Sequence, residues 1–481
     1  MGAAIGPDID KAHKPLHDSV IMKPVFSVFG RLALAAVVAL TSLAPASAQT
    51  ARRKGNAPTL IRDAEIEGLM RLYARPVFKA AGINPNAVKV YLINDRRVNA
   101  FVAGGQRIFV NTGTIVQSRT PNEVIGILAH ETGHIAGGHL ARMGIEMERA
   151  SAQNIIGMLL GAAAMVGGAA TGSSGAAKAG QGIVLGSQGM AQRSILSYQR
   201  AMESSADQAA LKYLAATGQS PKGMLDMFQR LANASIATAA NVDPYLLSHP
   251  MPLERIRNLE NDATRSPDFE RKDEAAVVLR HRLAQAKLVG FIESSQTVFQ
   301  KYPSSDTSLP ARYARAIAMY RRGDMKNALP VMDSLIRDMP QDPYFWELKG
   351  QALLESGQSA QALAPLAEAR KLLPNNGLIQ ILTAQAYLDR GKPADADQAI
   401  RLLVQARKTE SDTPVIYKFM AQAYGLKNDT ARAELATAQY AFMTGDKKLA
   451  VEKAKALQDR FKHGSPEWLQ ANDIVTFAAK K

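Results

Sequence analysis

Cysteine is absent from all 481 residues of this chain. The absence excludes disulfides and a lipid-modified N-terminal cysteine, so any argument for export has to rest on a targeting signal. Long apolar runs are missing as well. The two best candidates are Leu32 to Leu40 and the Gly- and Ala-rich stretch from Ile155 to Ala170. Both fall short of the ~20 residues that a spanning helix needs. Acidic residues are outnumbered, 43 against 58 basic, which leaves a net charge of +15. The basic residues are scattered, and no nucleic-acid-binding motif accompanies them. The charge therefore points to a solvated surface with affinity for anionic membranes or acidic partners, and no nucleic acid is expected.

What is present begins with a targeting segment. Lys23 and Arg31 form a basic front, Leu32 to Leu40 an apolar core, and Ala46-Ser47-Ala48 a small-residue cleavage site. Residues 22–48 read as a signal peptide, with Gln49 as the mature N-terminus. Residues 1–21 are polar and lack signal character, so Met22 is the expected start. The length leaves room for about three domains.

Residues 130–134 read His-Glu-Thr-Gly-His. The approach to them has the marks of a helix start: Thr120 as cap, Pro121 at the first position and Glu123 completing a capping box. The apolar residues from Val124 to Ala129 follow at helical spacing. On a helix, His130 and His134 project from one face and can share one metal ion, with Glu131 beside them to take a proton from water. This is the HExxH arrangement of zinc peptidases. Two His leave such a site one protein ligand short. An extension ending in His is not met, because position 140 holds Leu140 and His139 would lie on the far side of a continuing helix. A structural or lid-facing role is expected for His139. The remaining option is a carboxylate from a later helix. Glu203 and Asp207 are four residues apart on one face of a stretch whose Ala206, Ala209, Ala210 and Leu214 suit close packing. Read without the upstream motif, the same two acids would be an ordinary solvated face.

HETGH followed by Glu203-Ser204-Ser205-Ala206-Asp207 resembles the gluzincin metallopeptidases of the HtpX and prenyl-protease type. Ser248-His249-Pro250 with Glu254-Arg255-Ile256 resembles the segment that closes their peptidase domain. Asn99-Ala100-Phe101 and Phe109 to Gly113 resemble the strand bordering their substrate cleft. The resemblance covers about residues 60–262. It implies one zinc ion held by His130, His134 and Glu203, with Glu131 as the catalytic base. It also implies that Asp207 orients a ligand imidazole or assists proton transfer. His249 is left with three roles: a fourth zinc ligand that silences the enzyme, a stabiliser of the tetrahedral intermediate, or a loop cap before Pro250. Arg255 can pair with an acid near the site, with substrate backbone, or in a structural salt bridge.

Two runs, Val88 to Ile93 and Gln106 to Val110, read as strands, and Gly104-Gly105 suits a hairpin turn. An edge strand beside the metal can accept an extended peptide by strand addition, which favours unfolded segments. Residues 150–177 carry no charge, and 150–192 are expected to form a lid over the cleft or a membrane-facing insertion, with a buried core helix as the alternative.

Beyond a charged linker from Asn261 to Asp273, a helix from Glu274 to about Pro303 leads to a repeat. Gly323, Gly357 and Gly391 recur at the 34-residue period of a tetratricopeptide repeat, as do Ala328 with Ala362 and Pro340 with Pro374. Trp346, Gly350, Tyr387 and Tyr424 fit the same units. About four units and a capping helix are expected, either binding peptides and partners or bracing the peptidase.

The expected architecture is an α+β zincin-like metallopeptidase domain over 49–265, a linking helix over 266–309, and an all-α tetratricopeptide-repeat superhelix over 310–481. Peptidase and repeats in this order resemble the family's periplasmic members. That implies a periplasmic zinc endopeptidase acting on unfolded or misassembled proteins, with repeats that recruit clients or an outer-membrane assembly machine. The alternative is a largely latent protease that works as a chaperone or scaffold.

Overall fold

The computed structural model describes residues 59–170, 174–237 and 244–479. The signal segment and residues 1–21 lie outside them, as do Thr171, Gly172 and Ser173 of the expected break. The N-terminal half is built on a four-stranded sheet of order β1-β2-β4-β3, with β1 Leu60–Ile61, β2 Lys89–Ile93, β3 Ala100–Ala103 and β4 Arg107–Asn111. β2 and β4 run parallel, while β3 returns antiparallel to β4 through Gly104 and Gly105, both with positive φ. Leu92, Ile108, Val110 and Ala100 turn to one face and are buried.

Helix α1, Ala64–Ala80, starts where the Asp63 side chain accepts from the Ile66 N–H. Short α2, Thr112–Gln117, follows β4, and α3, Pro121–Ala136, carries HETGH. The cap of α3 is as read: Thr120 accepts from the Glu123 N–H. The reciprocal bond differs, because the Glu123 carboxylate takes the N–H of Arg119 rather than of Thr120, and it also pairs with both Arg230 nitrogens at 2.7 Å. Helices α4, His139–Ala170, and α5, Ser174–Ala216, pack on each other as a long hairpin. At 1.5 Å per residue α4 is about 48 Å long. Then come α6 Lys222–Ala237, α7 Pro244–Ser248 and α8 Leu253–Ala263.

The hairpin corrects the buried-helix alternative. Ile155, Ile156, Leu159 and Leu160 on α4 and Leu185 and Met190 on α5 are more than half exposed. Away from the crossing with α3, each helix of the hairpin has only its twin to pack on, so it buries one stripe and leaves the rest to solvent. Ser174 and Gly175 are helical rather than part of a break. Among the described residues, no helix is long and apolar enough to cross a membrane.

The expected linking helix is two. Helix α9, Ala275–Ile292, ends at Glu293, and α10, Ser295–Lys301, restarts with the Ser294 side chain capping Thr297. The remaining ten helices run α11 Leu309–Arg321, α12 Met325–Asp338, α13 Pro343–Glu355, α14 Ser359–Leu372, α15 Gly377–Leu388, α16 Pro393–Ala406, α17 Val415–Leu426, α18 Thr430–Thr444, α19 Lys447–Gln458 and α20 Pro466–Ala479. They pair as five successive hairpins, where the sequence reading expects about four and a cap. Gly323, Gly357 and Gly391, spaced by the repeat, all hold positive φ just past the first helix of a pair. Only glycine takes that left-handed turn without strain, which is why the period is so visible there.

The two halves are welded together. Tyr73 Oη and Ser118 Oγ both bond His281 of α9, at 3.0 and 2.9 Å. Lys287 of α9 is buried 2.9 Å from Asp63, 3.4 Å from Glu65 and 3.5 Å from Glu347 of α13. Further along the array, Arg62 pairs with Glu410 and Lys89 with Asp412 at 2.6 Å.

Candidate active site

α3 and α5 cross where two small residues meet. A Cβ on Gly133 would stand 2.8 Å from the Ala206 carbonyl oxygen and 2.9 Å from its Cα. That approach lays Glu203, one helical turn before Asp207, against the two His of α3. His130 Nε2 and His134 Nε2 are 3.0 Å apart, and Glu203 oxygens lie 3.3 Å from the first and 3.4 Å from the second. From the loop after α7, His249 brings Nδ1 to 3.1 Å from Glu203 and 3.4 Å from His130 Nε2. Ligand atoms of all four residues lie within 4.8 Å of one another.

These spacings fit a metal. Donors bonded tetrahedrally at 2.0–2.1 Å stand about 3.3 Å apart, which matches the separations above. The outer partners fit too. Asp207 Oδ1 lies 2.9 Å from His130 Nδ1, which turns the Nε2 lone pair to the centre. His249 directs its other nitrogen, Nε2, to the Ala100 carbonyl at 3.3 Å, leaving Nδ1 to face inward. Glu131 is buried at 0% exposure, and neither carboxylate oxygen accepts a hydrogen bond among the described residues.

Electrostatics follow from this packing. Burial holds the Glu131 carboxyl above the ordinary carboxylate range. Burial raises Glu203 too, but His249 and His130 outweigh it and hold that carboxyl well below the range. Burial, aided by His130, keeps His134 neutral. Against the same burial, Asp207 and Glu203 push His130 up to about 9. A metal ion among these donors would displace that proton, since ligands bind deprotonated.

Every sequence-derived site residue is brought to this cluster, with two adjustments. Arg255 is buried, its Nε 2.6 Å from Asp207 Oδ2 and its Nη1 2.9 Å from both Glu203 Oε2 and the Pro250 carbonyl. It faces the two acids. His139 does not sit across a continuing helix: α3 stops at Ala136, Gly138 turns left-handed, and His139 Nδ1 returns to 3.0 Å from His134 Nδ1. Two contributors, Phe228 and Tyr245, escaped the sequence, and a third, Ala100, was placed on the cleft strand without its carbonyl's role. Phe228 sets its ring edge-on at 5.6 Å from His130, Tyr245 lies 4.6 Å from the His249 ring, and Ala100 acts through its carbonyl. No residue-type signal marks a backbone oxygen or a packed ring. A cleft of about 450 Å³ lined by Leu196, Arg200, Glu203, Leu246, Pro250 and Met251 opens onto the cluster.

Comparison with known proteins decides the class. Residues 62–263 match the model of peptidase family M48. The chain carries a peptidase family M48 domain. It is a metallopeptidase, and the M48 domain contains every residue of the cluster. The chain is similar to the "Beta-barrel assembly-enhancing protease" of Yersinia pestis, 25% identical over 370 residues, 73% of this chain and 72% of the relative. It is similar to the protein of that name from Escherichia coli K12, 22% identical over 435 residues, 86% and 82% of the two chains. It also resembles "Metalloprotease YcaL" of Escherichia coli K12, 28% identical over 191 residues, 38% of this chain and 66% of the relative. The first two likenesses extend beyond the M48 domain into the helical array.

Proposed function

We propose that this chain is a periplasmic zinc endopeptidase that cuts extended segments of unfolded or misassembled proteins in outer-membrane quality control. The convergence of His130, His134 and Glu203 within metal-ligand spacing, beside the buried Glu131 carboxylate, which accepts no hydrogen bond and faces His249 Nε2 at 3.4 Å, carries the reading. Zinc, when bound, supplies a Lewis acid and lowers the pKa of its water. Glu131 accepts the proton of the attacking water and passes it to the leaving amine, a task suited to a carboxyl held above its usual range. Asp207, clamped by Arg255, orients the His130 ring. Export rests on the signal at 22–48, and the outer-membrane setting on the printed names of the relatives. The 34-residue period and five helix pairs support tetratricopeptide repeats that recruit clients or assembly machinery. The exposed apolar hairpin of α4 and α5 supports a peripheral membrane contact.

One observation favours a latent resting state. His249 takes the fourth donor position through Nδ1 and, through Nε2, the Ala100 carbonyl on the open edge of the sheet. A single imidazole thus occupies both the place for water and a backbone acceptor that an incoming strand needs. The deciding assay incubates purified mature protein with unfolded casein, wild type beside Glu131→Gln. Weak cleavage by wild type and none by Glu131→Gln is expected, and equal cleavage by both proteins would reject the assignment.

A further inference from the structure

The sheet carries a row of three rings that the chemistry above does not use. Tyr91 of β2 and Phe109 of β4 stack with centroids 5.3 Å apart at 19°, and Phe109 stacks with Phe101 of β3 at 5.3 Å and 16°. Register dictates the row, because Tyr91 pairs with Phe109 and Phe109 with Phe101 across the ladders. The alternating residues take the core face, so all three rings lie on the outer face and stay partly exposed. One end is closed: Tyr91 Oη donates to Asp412 of the array at 3.3 Å. The other end is Phe101, on the edge strand, with no strand beyond it among the described residues.

That edge is continuous with the catalytic cluster. The Asn111 N–H donates to the Asn99 carbonyl at 2.8 Å, so by antiparallel alternation Phe101 is the next residue bonded to β4. The N–H and C=O of Ala100 and Val102 therefore point to the free side, as the bond from His249 to Ala100 O confirms. A peptide added antiparallel here bonds Ala100 and Val102. Its residue between them stands opposite Phe101 in a non-hydrogen-bonded pair, where side chains approach most closely. The pleat puts that side chain on the ring-bearing face and turns its neighbours toward α3.

We propose that Phe101, backed by Phe109 and Tyr91, is a specificity subsite that takes an aromatic side chain of the substrate as a fourth ring. The inference rests on the peptidase reading and narrows its substrate class to extended segments with an aromatic residue at the position opposite Phe101. Cross-strand aromatic pairs of this geometry change affinity by about two- to tenfold.

The test uses zinc-loaded, full-length mature Glu131→Gln protein, which cannot cut, and two fluorescein-labelled decapeptides that differ by Phe or Leu at one central position. Fluorescence anisotropy should show the Phe peptide binding about two- to tenfold tighter, with the ratio falling to near one when Phe101→Leu is added. Leucine keeps the bulk of the site and removes the ring, and circular dichroism confirms the fold. With the Glu131-intact enzyme, moving the Phe by two residues should move the cut by two, and Phe101→Leu should abolish that dependence. A ratio near one without the Phe101 change, or one that survives it, overturns the subsite. Cleavage of casein by wild type or by His249→Ala alongside such a ratio leaves the peptidase reading standing, whereas no cleavage by either removes both.

Discussion

At the scale of single residues the site divides into donors, a base and the groups that aim them. Glu203→Ala removes a donor and leaves Arg255 facing Asp207 alone, so purified variant protein should lose most of its zinc by elemental analysis. Asp207→Ala keeps all donors but frees the His130 ring, and a fall of about 10–100-fold in metal affinity is expected in competition with a chelator. Glu131→Gln, by contrast, should retain full zinc content and lose cleavage. His249 yields opposite signs for its rival roles. With the imidazole on the fourth position, His249→Ala raises basal cleavage at unchanged zinc content; with a role in the transition state, the same variant loses roughly 10²–10³ in rate. The position of Nδ1 among the donors argues for the rise.

At the scale of elements the crossing of α3 and α5 matters most. Gly133 and Ala206 are small because the helices touch through backbone at that point. Gly133→Ala would favour the isolated helix by helix propensity. Here its methyl would collide with the Ala206 carbonyl, forcing α5 outward at a cost of about 1–3 kcal/mol. Because Glu203 rides on α5, chemical denaturation and zinc titration should shift together in this variant. A stable protein with unaltered zinc affinity would show that the crossing does not set the site.

At the scale of the whole molecule, the buried group around Lys287 joins α1, α9 and α13. Its ammonium faces Asp63, Glu65 and Glu347, with Tyr313 Oη donating to Glu65 at 2.7 Å. Burial, only partly offset by Lys287, pushes Glu65 up to about 8 and Glu347 to about 7. Between an ordinary carboxylate pKa and these values, the folded protein holds protons that the unfolded chain has released. This cluster's contribution to stability therefore falls as pH rises from about 5 to 8. Thermal melts of wild type and Glu65→Gln should diverge over that window, with the variant gaining on the order of 1–3 kcal/mol by pH 8. Lys287→Met leaves three acids with no cation and should cost about 3 kcal/mol or more.

What could be read from the chain alone was whatever is encoded locally. The cap at Thr120, the spacing of His130, Glu131 and His134, the four-residue step from Glu203 to Asp207, and the recurring turn glycines all act within one or two helical turns. Caps, periodicity and left-handed turns depend on neighbours in sequence, so residue type reveals them. Tertiary structure decided the rest. It broke the helix at Gly138 and returned His139 to His134. It turned Arg255 inward to Asp207, and it set the apolar hairpin out in solvent. It also placed the Ala100 carbonyl and the Phe101 ring at an open edge beside the cluster. These outcomes depend on which surfaces meet across long stretches of chain, and neither a backbone oxygen nor a packed ring carries a local mark of the partner it will find.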